Sequence, residues 1–370
     1  MWKSAEGSTA RLIQLALGMF MVYTIVGVAT KAFTSPAVMT VPVSSMSFLV
    51  WSTLGSTLIC LGIIFAAKWY RTKSDRTITV GPITMPAEYA YIIPSGIMTA
   101  IIIPSTTLLY ILLKSVMVAM VIMRASVIIS SRLVDTIQIR QGILKKAVYW
   151  QENVAVVFAI LAALTQMLLA TSKDFDFLHN KAALIVMGFF VAAYAIRIYI
   201  MNYYRNTRPK GSSHDSRWFF SIEQFSASTT LYLALLVFAL LPSHVGAIVQ
   251  LHTALAHPDP HWLGVSGAGV LYGLVALFSI FIFMFKGRTA TFSGLAYSQT
   301  SLAAGTTATL ASAFIFHANF PSIADWSSLG LIVVAFIFLA LAEKRRVEEL
   351  TKTHELELVV PVANLKVAAD

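Results

Sequence analysis

Ten apolar stretches, each long enough to cross a bilayer, constrain this chain more than any other feature. They cover roughly 11–33, 44–69, 89–113, 115–137, 152–171, 181–204, 218–242, 263–285, 290–317 and 325–343. About 20 apolar residues span the hydrocarbon as an α-helix, and only helices or closed barrels satisfy their own backbone there. Of the 370 residues, 57% are hydrophobic and only 12% charged, and the mean hydropathy is +0.75. That leaves too little polar surface to cover a water-soluble fold of this size. The expected fold is all-α and polytopic, with ten transmembrane helices. The third and fourth spans meet around Lys114 and Ser115 and should form a tight hairpin. The fourth and ninth are the most polar.

The net charge of +10 would suggest nucleic acid in a soluble protein. Here lysine and arginine fall in alternate connections instead. Lys68, Arg71, Lys73 and Arg76 follow the second span; Arg140, Lys145 and Lys146 the fourth; Arg205, Arg208, Lys210 and Arg217 the sixth; Lys286 and Arg288 the eighth; Lys344, Arg345 and Arg346 the tenth. The opposite connections carry little beyond Lys114, Lys173 and Lys181, with Asp174 and Asp176 offsetting the last two. The positive-inside rule then places both termini in the cytoplasm. The expected setting is a multi-pass membrane protein of a plasma, bacterial inner or organelle membrane. Its partners would be lipid and a small solute, with no nucleic acid, as a monomer or homodimer.

The ten spans divide into two sets of five. Residues 1–10 form a cytoplasmic N-terminus, 11–171 a first repeat, 172–180 a linker, 181–343 a second repeat and 344–370 a cytoplasmic tail. Each half ends with a polar fourth helix and a plain fifth one. A five-helix repeat must enter the membrane in opposite directions, which gives an inverted repeat of the kind secondary transporters use. The lone cysteine, Cys60, permits no intrachain disulfide. The N-terminal residues lack the pattern of a cleavable signal.

Ionisable groups inside spans are costly and by default face inward and act. Arg124 lies near mid-depth in the fourth span, too deep to snorkel comfortably. Two readings fit it: a fixed positive charge for a phosphate or carboxylate, or a structural ion pair or cap on helix carbonyls. Arg132 and Asp135 lie one turn apart near the cytoplasmic end, where a local salt bridge or snorkelling would explain them. Arg197 in the sixth span and Glu223 in the seventh lie at similar depth. They fit a structural bridge, a protonatable gate, or both. Tyr297, Gln299 and Thr300 in the ninth span, with Tyr110 in the third, are candidates for hydrogen bonds to a solute. The small residues around them suit close helix packing. Pro94 and Pro104 permit kinks in the third span.

The connection 243–262 holds His252, His257, His261 and Asp259, but in no metal-ligand spacing, and is expected to be a solvated extracellular loop. The tail from Glu348 opens on a charged helical pattern and should end loosely. No phosphate-binding glycine-rich loop is present. No catalytic constellation can be assembled, and no cofactor or metal is expected.

The run YIIPSGIMTAIIIPSTTLLYILLKSVMVAMVIMRASVIISSRLVD resembles the third and fourth helices of the drug/metabolite transporter superfamily. It is most similar to the branch of solute carrier 35 F-type and chloroquine-resistance-transporter-like proteins. Pro94, Thr107–Leu108–Leu109–Tyr110 and Met123–Arg124–Ala125–Ser126 carry the likeness, with Glu223 and the segment QIRQGI. Ala125 replaces that family's glycine, and the basic pair that phosphate translocators keep in their ninth helix is absent. The resemblance implies ten helices, an inverted repeat and alternating access around a cavity between the halves, lined chiefly by spans 1, 3, 4, 6, 8 and 9. The expected function is secondary transport of a small polar or charged organic metabolite, with proton coupling or exchange. The rivals are a channel, a non-transporting scaffold or receptor, and a lipid-modifying membrane enzyme.

Overall fold

A computed structural model describes residues 8–35, 38–71, 77–80, 82–112, 116–145, 148–169, 181–207, 216–242, 246–317 and 322–367. Within them are eleven α-helices: α1 (Thr9–Thr34), α2 (Ser45–Ala66), α3 (Tyr89–Leu112), α4 (Val116–Arg140), α5 (Trp150–Leu169), α6 (Lys181–Thr207), α7 (Ser216–Leu240), α8 (Gly246–Ala256), α9 (Trp262–Phe283), α10 (Ala290–Phe316) and α11 (Ile323–Val367). Seven of them, α1, α2, α3, α6, α7, α9 and α11, are long and apolar enough to cross a membrane. The protein is in that respect compatible with a multi-pass membrane protein. The helices α4 and α10 fall outside the seven, as the polarity of the fourth and ninth stretches implies.

Local chemistry sets several helix ends. The hydroxyls of Ser8, Ser44 and Thr289 cap α1, α2 and α10 by accepting from the amides of Arg11, Ser47 and Phe292, which satisfies donors that a helix start leaves open. Within the helices, Thr24, Thr30, Thr99, Thr106, Ser131 and Ser312 donate to the carbonyl four residues back. A hydroxyl can thus sit in an apolar medium without an orphaned proton. The helix α3 runs through both Pro94 and Pro104.

Three segments differ from the sequence expectation. Residues 246–256 form α8 rather than open loop, because Leu251 and Ala254 share a face that buries against Met46. The basic connection after α2 contains a two-stranded antiparallel hairpin, Thr77–Val80 with Ile83–Pro86, so the fold is not wholly α. The helix α11 continues to Val367, past the point where the tail was expected to loosen. The tight turn around Lys114 and Ser115 lies outside the described residues.

The helices pack through glycine and serine. On α2 and α9 the backbones approach so closely that a Cβ on Gly55 would lie 1.9 Å from the Ser266 carbonyl oxygen. One on Gly269 would lie 2.1 Å from that of Ser52. On α3 and α7, a Cβ on Gly96 would meet the Glu223 carbonyl oxygen at 2.7 Å. Small residues let helices approach where lipid offers no hydrophobic drive to associate. Around these seams α2 packs on α9, α3 on α6 and α7, α1 on α9 and α10, α4 on α5, α6 and α10, and α11 on α5 and α10.

Gly55→Ala is expected to destabilise the protein by about 1–3 kcal/mol, because a rigid carbonyl blocks the added methyl. Gly62→Ala on the same helix, where a Cβ meets nothing within 4 Å, should not destabilise. Thermal unfolding of the two purified variants beside the wild type checks the difference.

Candidate functional site

Eight of the helices converge on one cavity of about 70 Å³, roomy enough for several water molecules or a small solute group. Its polar wall has two layers, both anchored on α6. Tyr194 and Arg197 are one turn apart on that helix and both face the cavity.

The first layer is a chain of phenols around Arg124. Its guanidinium donates to the Tyr297 hydroxyl at 2.6 Å and to the Tyr23 hydroxyl at 2.7 Å. It also lies 4.7 Å from the Tyr297 ring centroid and 5.7 Å from that of Tyr23. The Tyr194 hydroxyl shares a 3.2 Å hydrogen bond with Tyr297. Arg124 is buried, about a third of the way along α4. A buried charge is held only where hydrogen bonds replace its lost hydration, each worth about 1.5–3 kcal/mol. The two phenols supply such bonds while leaving the guanidinium on the cavity wall.

The second layer is an ion pair. Arg197 Nε and a terminal nitrogen meet the two Glu223 oxygens at 2.9 and 3.0 Å, and the Ser95 hydroxyl donates to Glu223 Oε1 at 2.6 Å. Glu223 is fully buried and Arg197 nearly so. Such a two-point fit of guanidinium to carboxylate is directional as well as strong. It links α6, α7 and α3. The rest of the wall mixes hydroxyl and amide groups, Ser56 and Thr57 from α2, Thr99 and Thr106 from α3, Gln224 and Ser228 from α7, and Tyr272 and Ser279 from α9, with apolar side chains such as Ile102, Met123, Phe190, Leu231 and Val275.

The sequence candidates divide between this wall and other places. Arg124, Arg197 and Tyr297 line the cavity, and Glu223 stands directly behind Arg197. Gln299 and Thr300 are buried in α10 but do not line it. Gln299 lies two residues beyond Tyr297, which turns it to another face of the helix; Thr300 lies one turn beyond Tyr297 and is buried outside the cavity lining. The side chain of Tyr110 lies outside the described residues. The local salt bridge between Arg132 and Asp135 is not formed. Asp135 is fully buried and accepts from the backbone amides of Ala290 and Thr291 at 2.9 and 2.6 Å, so it caps the start of α10. Arg132 is half-buried and makes no ion pair among the described residues. Spans 2 and 7 contribute to the cavity as well as the six expected. Tyr23, Tyr194 and Tyr272 were not among the expected residues. Their sequence signal was a tyrosine mid-span, away from the interfaces where that residue concentrates. His261 pairs with Asp259 at 3.2 Å, and no group of potential metal ligands occurs among the described residues.

No family model matches the sequence, and no curated protein matches it. The fold is similar to a solved structure described as "Crystal structure of protein", at 14% identity and a TM-score of 0.49, over 91% of this chain and 99% of that one.

The pair in the second layer can be tested by removing it in parts. Glu223→Gln leaves the Arg197 guanidinium buried without its counter-charge and should cost about 3–5 kcal/mol. The double variant Glu223→Gln with Arg197→Met should recover most of that loss. A double-mutant cycle on the unfolding free energies reads the coupling directly.

Proposed function

We propose that this protein is a secondary carrier that moves a small polar or anionic organic solute across a membrane by alternating access. The observation that carries the proposal is Arg124, a deep positive charge on the wall of a cavity lined by hydroxyl, aromatic and aliphatic side chains rather than against the outer surface. A guanidinium among hydroxyls and aromatic faces suits a carboxylate or similar group attached to a small organic body.

Ten spans in two inverted repeats fit this reading. Counting α4, α5 and α10 with the seven apolar helices, and setting the short α8 aside, gives ten. If each helix of residues 11–171 is exchanged for its counterpart in 181–343, the packing pairs map onto one another. The contact of α2 with α9 becomes that of α7 with α3; α1 with α9 becomes α6 with α3; α1 with α10 becomes α6 with α4. The contacts of α4 with α10 and of α5 with α11 map onto themselves. Two halves related in this way enclose a site that can face either side. The lysine and arginine pattern orients both termini to the cytoplasm, and with them the end where α10 begins.

In this carrier Arg124 binds the anionic part of the solute, held ready by Tyr23 and Tyr297. Glu223 and Arg197 form the coupling pair: protonating Glu223, or drawing Arg197 toward the solute, loosens the tie among α3, α6 and α7. Asp135 and Arg132 belong to the cytoplasmic end. Gln299 and Thr300 are not assigned to solute binding. The protein is not proposed to be an enzyme. The resemblance to drug/metabolite transporters agrees with the reading.

The test is counterflow in vesicles reconstituted with the purified protein and preloaded with candidate carboxylates, amines and sugars. Saturable counterflow of one class is expected, with loss of at least 90% of it in Arg124→Ala at unchanged folded yield. Wild-type rates in Arg124→Ala would remove that residue from the mechanism. Flux that never saturates would mark a channel, and no flux for any class would favour a scaffold.

A further inference from the structure

The turn between α9 and α10, residues 284–289, is held by side chains from four other helices. Arg205 of α6 donates to the carbonyls of Phe283 and Phe285 at 2.8 and 3.2 Å. The Thr289 hydroxyl donates to Glu152 of α5 at 3.0 Å, and Glu152 also pairs with Arg346 of α11. Arg288 pairs with Glu343 of α11, which accepts in addition from Thr9 of α1 at 2.9 Å. Asp135 of α4 takes the first amides of α10, and Asn202 of α6 donates to Asp135 and Gln138. Every charged group named here is buried.

Above this clasp the whole run Ala290–Leu302 of α10 is buried, so the helix fills the space between the turn and the cavity. At the other end of α10 no comparable cluster is present among the described residues. Lys31 of α1 donates to Thr309 at 3.2 Å there, and Phe314 and Ile315 are exposed.

We infer that the charged clasp on the α9–α10 turn is a latch that seals the central cavity at that end, and that releasing it opens the cavity to that side. The inference rests on the carrier reading for its purpose but not for its geometry. Four anchors converge on one turn, so loss of a single one weakens the seal while the remaining pairs keep the helices together. Several of these ties join residues of the first five-helix set to residues of the second: Asp135 to α10, Glu152 to Thr289 and Arg346, and Thr9 to Glu343. A motion that opens this end must therefore break them in concert. Charge-assisted ties that are buried only in the closed form make such an element two-state rather than gradual.

The test uses side-specific labelling of a cavity cysteine. On a Cys60→Ala background, Ile103→Cys places a thiol at a half-buried position on the cavity wall. A membrane-impermeant maleimide is then applied to each face of oriented vesicles. With the latch intact, labelling from the face of the α9–α10 turn should be at least tenfold slower than from the opposite face. Asp135→Asn should raise it tenfold or more. If Asp135→Asn does not fold, Glu343→Gln, which keeps the side chain's size and releases Arg288 and Thr9, should raise it in the same direction. Equal labelling from both faces with the latch intact would overturn the inference. So would unchanged labelling in a folded latch variant. No solute is needed, so one-sided labelling without counterflow would count against the carrier reading and leave the latch standing.

Discussion

The guanidinium of Arg124 is the group around which the centre of this molecule is arranged. A charge buried away from water must be solvated by the protein itself. Here the solvent is two phenol hydroxyls and two aromatic faces, on α1 and α10. Those two helices also pack against each other, so the position of the charge and the position of the helices are one constraint. Phenols are suited to this task. They accept a hydrogen bond without carrying a counter-charge of their own. The pair one layer away behaves differently. Arg197 is matched to Glu223 in charge and in shape, so that part of the wall is neutral unless the pair is broken.

Close backbone packing makes this arrangement possible. Gly55, Gly269 and Gly96 bring α2 against α9 and α3 against α7. Such contacts are dense and unforgiving, and they give the bundle rigid pairs of helices. The rigid pairs carry Thr57, Thr99 and Ser279 to the cavity on their remaining faces. Motion, in the proposed mechanism, is then left to the seams held by polar ties: the Arg197–Glu223 pair in the middle and the clasp around the α9–α10 turn at one end.

Much of the fold was legible in the sequence because bilayer-length apolar runs have few alternatives. Arg124, Arg197, Glu223 and Tyr297 were legible for a related reason: a polar group in an apolar run is conspicuous. Partners were not legible. Asp135 looked local to Arg132 because spacing reveals only neighbours on one helix, whereas its true partners are backbone amides 155 and 156 positions away. Arg205, Arg288 and Arg346 read as connection charges that report orientation, yet each is buried and tied. A residue can report orientation by its sign and still serve as a structural clasp. Gln299 failed as a candidate for a geometric reason, since two residues along a helix is more than half a turn and carries a side chain away from the face of Tyr297. Helix α8 was not legible because its apolar run is shorter than a membrane span and is followed at once by Pro258 and Pro260, which signal a loop.

The most direct measurement of the central claim is ligand-induced stabilisation of wild-type protein and Arg124→Met, side by side, against matched organic acids, amides and amines. A cavity charge that serves a solute requires that some anionic members of the panel raise the wild-type melting temperature by several degrees and leave Arg124→Met unmoved. Identical responses in the two proteins would contradict it, and Arg124 would then be a structural charge.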